Sequence, residues 1–482
     1  MGWIKNMVAK LFGLEVPQEI VDAIKDNYID LWKAIYANNP DGTLSENLDG
    51  WKYVETWTPD GYHKRERYRL GAAKVVCAAL AKLVWSEVPT ITCDAFSDET
   101  LNANGFYRNM KFQIEYFAAL GGMAVKVYPG TNEKSVKLDY VTADCFIPLA
   151  WDNVSVHDAD FLDFRVHDKK RYVRRERHQR QAHGKYKITN QLFQDVGQGT
   201  YNREVPLSTI PDFEPMQTEA EIDTGGEPLF WYFRYPVANN KAFDSPMGMS
   251  IFGNAIHTIK ALDIAFDCLN GEVKNGKRKI IVPQSATRKV VDPLTGKPTR
   301  YFDAADEVYQ AMDFDDKESM QPVDFAPPLR VPEIVESINA LLNILAIQCG
   351  FPPGTLTFDG QGIKTATEVV SQNSDTYKSK KTVETELEYG IGKLINAIRI
   401  VGKLYNMDVG DENELSIVWD DSIAEDRTDD ANFWTNLADR GYITKAYANQ
   451  KILGMQEEDA KKMVEAAKKE QFVESDAGFG AE

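Results

Sequence analysis

At 482 residues the chain exceeds the usual single-domain range, so two to four structural regions are expected, with the 43% hydrophobic and 27% charged content of an ordinary soluble protein. A net charge of −18 speaks for solubility and argues against a protein that grips nucleic-acid phosphates over its whole surface. The five cysteines share no C-x-x-C spacing, which argues against a disulfide framework and suits buried, reduced thiols in a cytosolic setting.

The first fourteen residues carry Trp3, Ile4, Met7, Val8, Leu11 and Phe12 at helical spacing, interrupted by Lys5 and Lys10. A signal peptide needs an uninterrupted apolar core, so a docking helix is the plainer expectation. No window approaches about 18 apolar residues, so no membrane span is expected. A helix is predicted over 17–38, with Pro17 in its first turn, and 40–62 reads as loop. Arg67–Glu87 reads as a helix, 88–93 as an extended piece, and 99–118 as a further helix.

From 119 to 237 the period changes to two. Strands are predicted around 123–127, 136–140, 162–166, 171–178, 185–193 and 229–235, with 197–228 as an exposed loop. Helix returns at 246–273, where Ala255, Ile259, Leu262, Phe266, Leu269 and Val273 form a heptad seam. A short β-rich insert is expected over 276–328, then a helix from Pro332 with the apolar stripe Ile334, Ile338, Leu341, Leu342, Leu345 and Cys349.

That helix ends in Gly350-Phe351-Pro352-Pro353-Gly354-Thr355, and a capping-box pattern at Thr365–Glu368 opens a very long helix to Leu404. At about 1.5 Å per residue it would run roughly 60 Å. Gly390 and Gly392 are its weak points on propensity. Its first half, Ser371–Thr382, is almost wholly polar, which suits a subunit contact or a water-filled bore. A strand at 415–419 and helices near 428–440, 444–453 and 457–472 complete the pattern.

The search for chemistry finds no catalytic site. Gly360-Gln361-Gly362-Ile363-Lys364-Thr365 lacks the spacing of a phosphate loop. The six histidines pair with nothing at metal-ligand spacing and read as surface strand residues. Carboxylates at Asp313, Asp315, Asp316 and at Asp420, Asp421, Asp429, Asp430 read as acidic turns, with a metal-dependent nuclease as the alternative. One basic run (Lys169, Lys170, Arg171, Arg174, Arg175, Arg177, Arg180) reads as a solvated strand pair facing acidic neighbours. A second (Lys274, Lys277, Arg278, Lys279, with Arg288 and Lys289 across a predicted hairpin) suits a docking surface or a DNA collar.

The order of elements, with the Gly350–Val369 segment and Ile264–Pro283 as its most specific parts, resembles tailed-bacteriophage portal proteins, in the branch of phages and prophages of Gram-positive bacteria. The resemblance covers most of the chain and implies a mainly helical α+β portal fold that forms a ring, commonly of twelve subunits, at one capsid vertex. It implies a wing at 1–245, a stem helix at 246–275, a clip at 276–331, a second stem helix at 332–349, a tunnel loop at 350–363, a long wing-crossing helix at 364–404 and a crown at 405–482.

Pro352, Pro353, Thr355, Thr357, Asp359, Gln361 and Lys364 would then face double-stranded DNA in the channel, and the second basic run would serve the clip. The family has no catalytic activity or cofactor. Its implied partners are further copies of itself, the DNA, terminase, major capsid and scaffold proteins and head–tail connector proteins, with no membrane. Its place is the virion, reached by assembly in the host cytoplasm. Another capsid-associated connector is the remaining structural alternative.

Overall fold

The computed structural model describes residues 28–40, 48, 50–58, 61–86, 88–130, 135–153, 155–197, 201–276, 279–283, 288–291, 298–301, 309–312, 323–325, 328–357, 366–409, 415–419, 427–453 and 460–464. Of the strands between 279 and 325, and of 366–375 and 427–432, only the backbone is described. The fold is α+β. Its first elements are α1 (Ile29–Tyr36), the hairpin β1 (Tyr53–Thr58) and β2 (Gly61–Glu66), α2 (Ala72–Trp85), β3 (Thr90–Thr92), α3 (Ala95–Ala103) and α4 (Phe106–Leu120). Then come β4 (Gly122–Pro129), β5 (Val136–Thr142), β6 (Phe146–Trp151), β7 (Val156–His167), β8 (Lys170–Arg180), β9 (Lys185–Asp195), β10 (Tyr201–Val205), β11 (Glu219–Asp223) and β12 (Phe230–Arg234).

Helix α5 (Ile256–Asn275) leads into β13 (Lys279–Pro283), β14 (Arg288–Val291), β15 (Pro298–Tyr301), β16 (Tyr309–Met312) and β17 (Val323–Phe325), which α6 (Val331–Gln348) follows. The chain ends with α7 (Ala366–Leu404), β18 (Ser416–Val418), α8 (Arg427–Asp439) and α9 (Lys445–Leu453). Residues 1–86, 92–363 and 379–416 form one compact unit, and 87–91, 364–378 and 417–482 a second. Within the second unit, Trp434 of α8 meets Tyr447 of α9 edge-on at 6.1 Å.

In the first unit, antiparallel strands run in the order β10-β9-β8-β7-β6, with β11 also paired to β9, and β12-β4-β5 form a separate three-stranded sheet. The segment expected to be an exposed loop at 197–228 instead contributes β10 and β11 and a small core in which Leu207, Ile210 and Phe213 are buried with Tyr172 and Leu192. Its Pro, Gly and acidic residues mark short turns between buried anchors. The expected loop at 40–62 instead holds β1 and the first residues of β2. Trp57 pairs with Tyr62 across that hairpin, whose Pro59-Asp60-Gly61 turn signal the composition masked.

The helix expected over 99–118 is two helices. They break at Asn104 and Gly105, where Gly105 is left-handed and the Asn104 side chain bonds the Val136 carbonyl and the Leu138 amide. The helix expected from 246 starts only at Ile256. Residues before it make close backbone contact instead, since a Cβ on Gly248 would sit 2.0 Å from the Gly121 carbonyl oxygen.

The basic run expected as a solvated face is so only in part: Lys169, Lys170, Arg171 and Arg180 are exposed, whereas its middle turns inward. Arg174, Arg175 and His178 are buried. Glu176 accepts from Lys126 at 2.8 Å, from Arg174 at 2.8 Å and from His178 at 2.8 Å. Burial alone would raise the Glu176 carboxyl, but Lys126, His178 and Arg174 hold it well below the ordinary carboxylate range. Arg177 forms a two-pronged pair with Asp160, both bonds at 2.7 Å. The buried bases are thus matched by acid, from Glu176 on β8 itself and from Asp160 on β7. His178 is a buried member of this network and not a surface strand residue.

Helix α7 buries Val383, Leu387, Ile391, Leu394, Ile395, Ile398 and Val401. Gly390 is the price of the close crossing over β12, because a Cβ there would lie 2.2 Å from the Phe233 ring and 2.8 Å from Trp231. Deeper along the helix, Arg399 donates to Asp94 at 2.7 Å, both side chains 5% exposed or less, and Asp94 also caps α3 through the Ser97 amide. Of the polar half-helix 371–382, residues 371–375 lie outside the described side chains. Lys380 is buried and ion-paired with the buried Glu384 at 3.3 Å, so it does not face solvent.

Gly390→Ala is expected to destabilise the chain by about 1–3 kcal/mol through overpacking, although alanine is the better helix former by about 1 kcal/mol. Gly271 of α5, where a Cβ would meet nothing within 4 Å, should respond in the opposite sense and gain up to about 1 kcal/mol as alanine. Urea denaturation of the two variants reads both signs, and stabilisation by Gly390→Ala would contradict the close crossing.

Candidate functional site

Helices α5 and α6 pack antiparallel, and the small strands lie between them in sequence. Their apolar stripes supply the seam, with Ile259 and Leu262 buried on α5 and Ile338, Leu342, Leu345 and Ala346 on α6. At about 1.5 Å per residue each helix is roughly 27–30 Å long. Both ends are closed by side chains. Thr258 donates to Gln348 at 2.8 Å at one end, and Arg330 meets Glu272 at the other through its amide and guanidinium, each at 3.2 Å. The heptad seam read from the sequence is buried only in its first half, and Val273 is 56% exposed.

Asp263 and Asp267 stand four residues apart, hence on one face of α5. They hold the segment 51–70 on the helix. Asp263 accepts from the Trp51 indole and from the Leu70 amide, both at 2.8 Å. Asp267 accepts from Arg65 through two bonds of 2.8 Å and from the Tyr68 amide at 3.1 Å. Burial raises the Asp263 carboxyl, against the lowering effect of Trp51 and Leu70, whereas the Arg65 bonds hold Asp267 below its ordinary value. These two acids were not singled out in the sequence, although paired carboxylates inside an otherwise apolar helical stripe are a legible signal.

At the end of α6 the chain makes a defined turn. Gly350 is left-handed (φ +79°), and the Phe351 amide reaches back five residues to the Ala346 carbonyl at 2.8 Å, which is the Schellman helix stop. Phe351 and Pro352 are buried, and Pro353 and Thr355 are exposed. The Gly354 amide (φ +88°) donates to the Asn343 side chain at 2.7 Å, and Ser379 of α7 donates to the Gly350 carbonyl at 2.6 Å. Thr355 bonds the Pro352 carbonyl at 2.8 Å and Thr357 the Gly354 carbonyl at 3.3 Å. Four of the seven expected loop residues are therefore placed together. Asp359, Gln361 and Lys364 lie outside the described residues.

The second basic run is not assembled as expected. Lys274 is exposed at the last turn of α5, and Lys277 and Arg278 lie outside the described residues. Lys279 opens β13, which pairs with β16 and β17, while Arg288 and Lys289 lie on β14, which pairs with β15. Among the described residues the hairpin expected between the two halves of the run is therefore not formed. The carboxylates weighed for a nuclease fall outside the described side chains.

The family model described as "Phage portal protein, SPP1 Gp6-like" matches residues 22–472. No curated protein matches the chain. A solved chain from the neck of a native gene transfer agent particle, computed with twelve-fold cyclic symmetry, is 12% identical with a TM-score of 0.44, covering 79% of this chain and 88% of that one. A chain from the virion of a native gene transfer agent particle is 12% identical with a TM-score of 0.42, covering 89% and 99%. One from the neck of an empty particle, computed with six-fold cyclic symmetry, is 12% identical with a TM-score of 0.44, covering 88% and 99%.

Asp267→Asn should cost about 1–2 kcal/mol at pH 7, a charge-assisted bond discounted for the half-exposed Arg65. Because Asp267 is held below its ordinary value when folded, its contribution is present above the unfolded pKa of about 3.9 and is lost as pH falls through the folded value. Urea titrations at stepped pH should therefore show variant and wild type converging in acid. A gap that stays constant to pH 2 would remove Asp267 from this role.

Proposed function

We propose, because this chain belongs to the SPP1 Gp6-like phage portal protein family and is a portal protein, that its copies close into a ring whose inner wall is built from the α5–α6 pair and the turn after it. The observation that carries this reading is the apolar surface the pair leaves in solvent. Ile264 and Val273 on α5 are 40% and 56% exposed, and Ile344 and Ile347 on α6 are 46% and 61% exposed. On a helix pair already closed at both ends, these four residues would be covered where neighbouring copies pack against it. A head-to-tail contact of that kind closes into a ring when its rotation divides the circle.

In this reading the chain from Gly350 to Thr357, and onward to Asp359, Gln361 and Lys364, is the tunnel loop beside the passing DNA. Its hydroxyls and amides offer short contacts, and Lys364 is the one cation there, so phosphates are touched without being neutralised and the DNA can slide. The β13–β17 strands between the stem helices form the clip, where terminase and later the head–tail connectors dock, and Lys274, Lys277, Arg278, Lys279, Arg288 and Lys289 supply its basic surface. The subunit number is twelve, the place is one vertex of the virion, and the chain has no catalytic chemistry of its own.

Sedimentation of the purified chain should give a species many times the monomer mass, and Ile347→Glu should shift it to monomer. A photoreactive amino acid at Thr357 should form adducts with DNA inside filled particles. A wild type that remains monomeric across concentration and salt, or a ring whose position 357 never labels DNA, would overturn the reading.

A further inference from the structure

We propose that Asn343 and Ser379 are positioning residues, a two-sided mount that fixes the direction in which the tunnel loop leaves α6; this deepens the portal reading above and rests on it. The turn Gly350–Gly354 is held at its two ends from two different helices. Asn343 of α6 accepts the Gly354 amide at 2.7 Å, and Ser379 of α7 donates to the Gly350 carbonyl at 2.6 Å. Asn343 is the sole polar side chain between Ala340 and Ala346. Asparagine is a weak helix former, so its presence in this apolar turn calls for a bond that a leucine or isoleucine could not make.

Ser379 is itself held in place. Its neighbour Lys380 is buried and pairs with Glu384, whose side chain is 0% exposed, at 3.3 Å, and Lys381 reaches the same carboxylate at 3.6 Å. Rotating α7 at this point would turn the buried Val383 and Leu387 of the same stretch into water, which is unfavourable. The serine hydroxyl is therefore presented to Gly350 by a helix whose rotation is opposed by its own packing.

Packing does not do the same work on every side. A cavity of about 300 Å³ lies against the turn, lined by Phe351, Ile347, Tyr235, Met249 and Val383 among others. A segment close-packed all round is fixed by its neighbours whatever bonds it makes. A segment with open space alongside depends on its hydrogen bonds for position. With either bond removed, the turn can relax toward the cavity and carry Thr355 and Thr357 with it.

The test uses full-length chain assembled as rings, with Asn343→Leu (shape kept, acceptor lost) and Asn343→Asp (acceptor kept). Three readouts are taken: ring mass, hydrogen exchange at the Gly354 amide, and DNA packaged in a complementation assay. Asn343→Leu should form normal rings, exchange at Gly354 about tenfold faster and package about tenfold less DNA, with Asn343→Asp close to wild type in all three. Should Asn343→Leu fail to assemble, Ser379→Ala decides on the same readouts with the same expected losses. Normal packaging by a ring-forming variant whose Gly354 amide has been released would overturn the mount, as would failure of Asn343→Asp to rescue. If position 357 of the wild type does not label DNA, the tunnel-loop reading itself fails. If it labels DNA and Asn343→Leu changes neither labelling nor packaging, only the mount fails.

Discussion

The turn after α6 and the 51–70 segment both depend on keeping α5 and α6 antiparallel and in register. Their apolar seam supplies the attraction, which is non-directional and would tolerate sliding. The end pairs Thr258–Gln348 and Glu272–Arg330 remove that freedom, because a slip of one helical turn would break both. With the register fixed, the turn at Gly350 leaves from a defined point. The other face of α5 is then free to hold the 51–70 segment through Asp263 and Asp267. One helix thus serves as the reference for α6, the turn after it and the β1–β2 hairpin together.

The long helix α7 is placed by a second set of constraints of different character. Gly390 allows it to approach β12 closely, and the buried Arg399–Asp94 pair, which joins it to the start of α3, fixes its rotation there. Buried ion pairs are weak evidence for stability, since removing charges from water is costly, but they penalise any arrangement that separates them. The Lys126–Glu176–Arg174–His178 cluster, which joins β4 of one sheet to β8 of the other, carries the same penalty.

Much of this was legible in the sequence because it is local. The stripe from Ile334 to Cys349 and the Gly-Phe-Pro-Pro-Gly stop gave α6 and its end within a residue or two, and period-two alternation gave six of the strands. What was not legible depends on partners far along the chain. Gly390 reads as a weak point on propensity alone, and only Phe233 explains it. The basic run on β8 reads as a surface until Lys126 brings Glu176 into the core and Asp160 meets Arg177. Asn343 and Ser379 are 36 residues apart in sequence, and nothing in their spacing says that they grip the same turn. The loop at 197–228 was misread because its turn residues outnumber Leu207, Ile210 and Phe213, the three that carry its burial.

The central claim is that the α5–α6 pair and the turn after it face a channel in a ring of copies. A cryo-electron microscopy reconstruction of the purified protein tests it most directly. The account predicts a closed ring in which Ile264, Val273, Ile344 and Ile347 are covered by the adjacent copy and Pro353 and Thr355 border the central opening. A ring with the same four residues still in solvent and Pro353 on its outer rim would contradict it.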